Sequence, residues 1–241
     1  MEIRVIENRL RNKIRHDSFT AWHDYLPSFK NQGSLAMVYK ELLWPGAKYQ
    51  TKHSHEFTIV QCSFSGNKSL RNSYWEANVN SVNSVIHKLY PDKPIDSMNL
   101  EDTTPYFGYQ FWFNSMSTDK DTANVSFEAE NLNPGELKRI YEAKDEKNEN
   151  FVSLKYGRLD KGENFEYKSR NIKSKIYIHV VSGGFEFSSN DGIIMLNNED
   201  SVEISDIIDI NLKFIKDSQI LLSKITTFKI SISDNNNQIF L

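Results

Sequence analysis

His53 and His55 stand one residue apart in Thr51-Lys52-His53-Ser54-His55-Glu56, entering the strand-like run Phe57 to Phe64. On a strand, side chains repeat every second residue, so a His-x-His presents two imidazoles on one face. Two imidazoles are half of a transition-metal site, and the remaining ligands must come from elsewhere in the chain. The nearest further donors are His87, Asp96 and Glu101. His179 lies inside the apolar run Ile176 to Val181, on the face of Tyr177 and Val181, and the second half holds no other His or Cys to join it. That is the pattern of a hydrogen-bonded core histidine. Cys62, the single cysteine, lies mid-strand between Val60 and Phe64 and reads as a small buried side chain. The sequence contains no G-x-S-x-G, Walker loop, G-x-G-x-x-G or H-E-x-x-H.

The elements that must position these residues are strands. Leu35–Leu43, Phe57–Phe64, Ser84–Leu89 and Phe107–Asn114 in the first half are rich in β-branched and aromatic residues. In the second half the same holds for Phe151–Leu159, Lys175–Val181, Gly184–Phe187, Gly192–Leu196, Ser201–Ile204, Ile210–Ile215 and Gln219–Ile225. Turn residues separate them, as in Trp44-Pro45-Gly46, Ser182-Gly183-Gly184, Asn190-Asp191-Gly192 and Asn197-Asn198-Glu199-Asp200. Short strands with tight turns predict an all-β fold of sandwich or barrel type. Alternation lapses between about Thr118 and Asn150, where Pro134-Gly135 precedes a charge-dense run. This predicts a first domain over residues 1–118 with an N-terminal arm, a linker over 119–150 and a second domain over 151–241. Within the linker, Glu136 to Tyr141 has room for one or two helical turns. Val60–Gly66 echoes Ile178–Gly184, an apolar strand running into a Ser-Gly turn, which suggests two similar barrels. The aromatic run Tyr106, Phe107, Tyr109, Phe111, Trp112, Phe113 then splits by alternation, one side into a barrel and the other toward its neighbour.

At 241 residues with 39% apolar and 25% charged residues, the chain is long enough for one large core or two. A formal charge of −3, with no clustered Lys or Arg, argues against a nucleic-acid surface. The charged N-terminus does not read as a signal peptide, no apolar run is long enough to span a bilayer, and one cysteine fits a reducing compartment; a cytoplasmic protein is expected.

Several ordered patterns make the chain resemble the bacterial pirin-like family, which includes proteins with quercetin-dioxygenase activity. Ile176-Tyr177-Ile178-His179-Val180-Val181-Ser182-Gly183-Gly184 is similar to that family's "V-W-I-Q-V-V-x-G" strand. It is followed by Asp191-Gly192, by Asp200-Ser201-Val202-Glu203-Ile204 and by Ser218-Gln219-Ile220-Leu221-Leu222, similar to "D-G", an acidic turn and "S-x-x-L-L-F". In the first half, Asp17-Ser18 with Trp22-His23 resembles "D-S-W-H", Pro45-Gly46 precedes the His segment, and Tyr109-Gln110-Phe111-Trp112 resembles "Y-Q-I-W". The resemblance spans roughly residues 15–227. It implies a bicupin, two cupin (double-stranded β-helix, jelly-roll) barrels in one chain. In metal-bearing members the first barrel holds one ion through two histidines of "T-H-P-H" and a histidine and glutamate of "H-S-E-Y-N".

Against those motifs this chain is incomplete. A gapless match anchored on Gly66 places Lys52 and Ser54 at the early ligand positions, whereas one deletion near Phe57 would restore His53 and His55. In the later segment, Ile95-Asp96-Ser97-Met98-Asn99 puts Ile95 where the histidine belongs and Ser97 where the glutamate belongs. Two ligands of four retain little affinity. The resulting expectation is a pirin-like cupin with a degenerate metal site and no bound cofactor, acting as a small-ligand-binding or regulatory protein-interaction module. The alternative is a dioxygenase acting on a flavonol-like aromatic, with one divalent transition metal, iron in type, held in the N-terminal cupin by His53 and His55 together with His87, Asp96 or Glu101.

Overall fold

Residues 57–63 and 175–181 are buried without interruption, on both faces of the strand. A strand of this kind needs a packed layer on each side, so both runs must lie in the middle of a stack of sheets. The computed structural model describes residues 2–25, 35–114, 122–126, 132–145, 150–168, 174–189, 192–206 and 209–227, and shows such a stack. The chain begins with β1 (Glu2–Ile6), a 3-10 turn at Asn8–Leu10, β2 (Asn12–Arg15) and β3 (Phe19–Tyr25). It continues through β4 (Leu35–Leu43), β5 (Lys48–Thr51), β6 (Phe57–Ser65), β7 (Lys68–Arg71), β8 (Glu76–Val79), β9 (Asn83–Leu89), β10 (Ile95–Asn99), β11 (Tyr106–Asn114) and β12 (Thr122–Ser126). Next come β13 (Glu136–Asp145), β14 (Asn150–Leu159), β15 (Asn164–Lys168), β16 (Lys175–Ser182) and β17 (Gly184–Ser189). The last are β18 (Gly192–Asn197), β19 (Ser201–Ser205), β20 (Asp209–Phe214) and β21 (Ser218–Thr227).

Four sheets result. The first barrel pairs β12-β9-β6-β11-β4-β3-β2 with β5-β10-β7-β8, and the second pairs β1-β19-β16-β21-β14-β13 with β15-β20-β17-β18. The order β9-β6-β11-β4 recurs as β19-β16-β21-β14, and β5-β10-β7-β8 recurs as β15-β20-β17-β18. The echo seen in the sequence is therefore a repeat of topology, and the architecture is the expected all-β fold of two cupin barrels. One apolar core fills each barrel. A third lies between the two large sheets, where Tyr109, Phe111 and Phe113 meet Tyr156, Tyr177 and Leu221. The aromatic run divides by alternation as expected: Tyr106 and Trp112 enter the first barrel while Tyr109, Phe111 and Phe113 enter the intervening layer.

Two expectations need correction. Residues 136–145 are not a linker with a helical turn; they form β13, an edge strand of the second barrel. Leu137 and Ile140 are three residues apart, and a register shift between Arg139 and Tyr141 sends Leu137 toward the second barrel's core but Ile140 and Tyr141 into the layer between the barrels, which hides the strand from a reading based on alternation. The N-terminal arm does not stay with the first barrel either, because β1 pairs antiparallel with β19 of the second. Of the expected linker, residues 119–121, 127–131 and 146–149 lie outside the described residues, as do Asn190-Asp191 and residues 228–241. No helix among the described residues is long and apolar enough to cross a membrane.

Candidate functional site in the first barrel

Alternation decides which side chains enter the first barrel. From β4 it admits Glu41, from β5 Tyr49, from β7 Lys68 and Leu70, from β10 Ile95, Ser97 and Asn99, and from β11 Gln110 and Trp112. Polar side chains in a packed interior must find partners there. The Lys68 ammonium, 0% exposed, donates to Glu41 Oε1, and Glu41 is itself 4% exposed. Glu41 Oε2 accepts from Tyr49 Oη at 2.6 Å and from Gln110 Nε2 at 2.6 Å. Gln110 Nε2 also reaches Tyr49 Oη at 3.2 Å, and Gln110 Oε1 accepts from Trp112 Nε1 at 2.9 Å. Ser97, opposite Tyr49 in the β5–β10 register, is hydrogen-bonded to its hydroxyl. The Lys68 ammonium further lies over the Tyr106 ring, 4.7 Å from its centroid.

Burial lowers the Lys68 pKa and the Glu41 carboxylate opposes that shift. Burial, followed by the Glu41 charge, raises the Tyr49 hydroxyl well above its ordinary value, so it remains a donor. His87, on β9, shares the same interior. Its Nε2 lies 2.9 Å from Gln61 Nε2, which donates to the neutral ring, and its ring packs on Trp75 at 5.3 Å. Burial, then the Lys68 charge, pushes its pKa down to about 3.

His53 and His55 are not on a strand, contrary to the expected placement; they occupy the loop between Thr51, the end of β5, and Phe57, the start of β6. Strand register therefore does not set their direction. The His53 ring packs edge-on against Phe57 at 4.8 Å and Trp112 at 6.1 Å, and its Nδ1 accepts the His55 backbone N–H at 3.2 Å. Partial burial, then His55, lowers the His53 pKa. His55 is exposed, with Nδ1 3.0 Å from Ser54 Oγ. Asp96 faces outward, as its place beside inward Ile95 requires, and accepts from Gln50 Nε2 at 2.9 Å. Glu101 lies in the segment after β10. Among the described residues no three His, Cys, Asp or Glu side chains come together as a metal site would need. The donor set does not fit an ion: Ile95 and Ser97 hold the inward positions, 1% and 2% exposed, and the carboxylate at the centre is bound to Lys68.

Beside this network opens a cavity of about 220 Å³. Its walls include Phe19, Tyr39, Tyr49 and Trp112, its floor Glu41 and Gln110, and its rim Lys52 and His53. Reading the sequence for metal ligands overlooked Lys68, Glu41, Tyr49 and Gln110. The available signal was parity: Glu41 lies two residues from Leu43, and Lys68 two from Leu70, each on the apolar face of its strand.

Other histidines and the cysteine hold structural places. His179 Nδ1 faces Arg11 at 3.1 Å and Ser201 Oγ at 2.9 Å, within a network between the barrels. His23 packs on Tyr39 at 5.7 Å. Cys62 is fully buried, which pushes its thiol up to about 12 and leaves it no nucleophilic role.

Residues 149–224 match the family described as the quercetinase C-terminal cupin domain. No curated protein sequence matches the chain. The bacterial pirin YhhW of Escherichia coli, in complex with nickel(II), superposes with a TM-score of 0.75 at 15% identity, covering 92% of this chain and 98% of its own. YhaK of the same organism gives 0.67 at 18%, covering 90% and 93%. Oxalate decarboxylase of Bacillus subtilis gives 0.58 at 10%, covering 92% and 75%. At such identities the structural likeness is one of fold. Residues 149–224 are thus similar to that cupin domain, and the chain as a whole shares the two-barrel fold of the bacterial pirin YhhW.

Proposed function

We propose that this pirin-like cupin is non-catalytic, that its first barrel has lost the metal site, and that the cavity beside Glu41 binds a small organic ligand, through which the protein acts in regulation. The observation that carries this reading is the buried Lys68–Glu41 pair, with Tyr49 and Gln110 closed around the same carboxylate. A divalent ion there would have to displace a protein ammonium and would find Ile95 and Ser97 in place of further ligands. The competing reading, a metal-dependent dioxygenase of flavonol-like aromatics, draws support from the name of the matched family and from the nickel(II) in the YhhW structure.

Metal analysis separates the two. Untagged protein, from cells grown with added iron and nickel, is expected to carry well under one equivalent of either metal and to consume no oxygen with quercetin. About one bound equivalent that disappears in His53→Ala, or quercetin-dependent oxygen uptake, would overturn the proposal. A screen of small organic molecules is expected to raise the melting temperature with at least one class of compound.

A further inference from the structure

We infer that the ligand of the first-barrel cavity is an organic ammonium, a cation with apolar substituents such as a quaternary or methylated amine. The inference rests on the small-ligand reading above and adds the chemical class. It follows from counting what the cavity has left to offer. The hydrogen-bond donors at its floor are already committed to protein acceptors: Tyr49 Oη and Gln110 Nε2 to Glu41, and Trp112 Nε1 to Gln110 Oε1. A carboxylate has about four lone-pair sites. Glu41 receives Lys68 on one oxygen and Tyr49 and Gln110 on the other, so acceptor capacity remains there and donor capacity does not. A ligand rich in acceptors, such as a carboxylate, would meet at the floor a carboxylate whose neighbouring donors are already taken, the further donors Thr51 and Lys52 lying away from it toward the rim.

The walls point the same way. Phe19 and Tyr49 have ring centroids 4.8 Å apart, Tyr39 and Trp112 5.3 Å apart, and all four line the cavity with Glu41. Aromatic rings around an acid are the common arrangement for ammonium recognition, because each ring face is electron-rich and the cation has no strong hydration to lose. Lys68 offsets part of this attraction, but it is fully buried and does not line the cavity whereas Glu41 does, so the negative member of the pair is the one nearer a guest. At the rim, His53 has its pKa lowered by partial burial and so adds no fixed charge near neutral pH, while Lys52, the one cationic side chain lining the cavity, is solvent-exposed, where water screens its charge. The volume, about 220 Å³, falls below the range of roughly 300–1,000 Å³ for drug-sized ligands, so the guest is small.

The test uses the full chain and a pair of probes of the same shape. Choline and its neutral isostere 3,3-dimethylbutan-1-ol are titrated calorimetrically, with benzoate and quercetin as anionic and flavonol controls. Choline is expected to bind at least about tenfold more tightly than the alcohol, and benzoate not to bind. Phe19→Leu, which thins the wall without touching the ion pair, is expected to weaken choline several-fold more than the alcohol. The double variant Glu41→Gln with Lys68→Met, which removes both charges together, is expected to lose the preference for choline. Equal binding of the alcohol, or tighter binding of benzoate or quercetin, overturns the ammonium assignment and leaves the small-ligand reading standing. Failure of every probe and of a wider screen overturns both.

Discussion

Lys68 is the residue on which the first barrel turns. A fully buried ammonium is tolerated only beside a countercharge, and here Glu41 supplies it while Tyr106 offers its ring face. Removing one partner leaves the other charge unpaired in the interior; removing both leaves a polar pocket without charge. Breaking a buried pair typically costs ~3–5 kcal/mol, whereas replacing both partners with neutral groups of similar size is often close to neutral. Lys68→Met alone is therefore expected to lower unfolding free energy by about 3 kcal/mol or more in urea denaturation. Lys68→Met with Glu41→Gln should regain most of that loss. A double variant no more stable than the single one would show that the pair is not what couples these positions.

At the scale of elements, two turns do the same work in the two barrels. Gly66 follows β6 with φ +73°, and Gly183 follows β16 with φ +93°. A Cβ at Gly66 would lie 2.8 Å from Tyr106 Cα, and one at Gly183 would lie 2.3 Å from the Asp217 carbonyl oxygen. Both the left-handed backbone and the close neighbouring chain exclude a side chain. Gly66→Ala and Gly183→Ala are each expected to destabilise by at least ~1–3 kcal/mol, and thermal melts of the two should shift in the same direction. Unchanged melting of either would mean that its turn can relax. These turns were legible in the sequence, as Ser-Gly after an apolar run, and so were the long central strands buried on both faces. The short strands of the first barrel's smaller sheet were not. β5, β7, β8 and β10 are four or five residues long and alternate polar with apolar too briefly to stand out. β13 was masked by its bulge. The pairing of β1 with β19 joins residues nearly two hundred apart, which no local pattern reveals. For the site, the sequence located the barrel and the inward Ile95 and Ser97. Residue type drew attention to His53 and His55, whereas the loop before β6 places His53 at the cavity rim and leaves His55 exposed.

At the scale of the molecule, the layer between the barrels is as substantial as either interior. Among the described residues it holds sixteen buried apolar side chains, against fourteen in the second barrel and twelve in the first. A polar junction crosses it. The Arg11 side chain, 2% exposed, donates to Asp24 Oδ1 at 3.0 Å and to Ser201, and Tyr177 Oη donates to Asp24 Oδ2 at 2.8 Å. An interface with this many buried apolar side chains, and with Arg11 paired to Asp24 inside it, argues that the barrels unfold together. Two histidines in different layers make that testable. His87, inside the first barrel, has a pKa of about 3, and His179, in the junction, is held well below 6.5 by burial, then by Arg11 and Lys40. The unfolded chain takes up protons at both sites below about pH 6.5, whereas the folded chain does not until far lower pH. Since the unfolded state binds more protons in that window, stability falls as the pH is lowered, by up to ~1.4 kcal/mol per pH unit for each histidine. Scanning calorimetry between pH 6.5 and 5 is therefore expected to show one transition that moves to lower temperature on acidification, with a shallower pH dependence in His87→Gln. If the barrels instead melt separately, two transitions appear, and the His87→Gln change is confined to one of them.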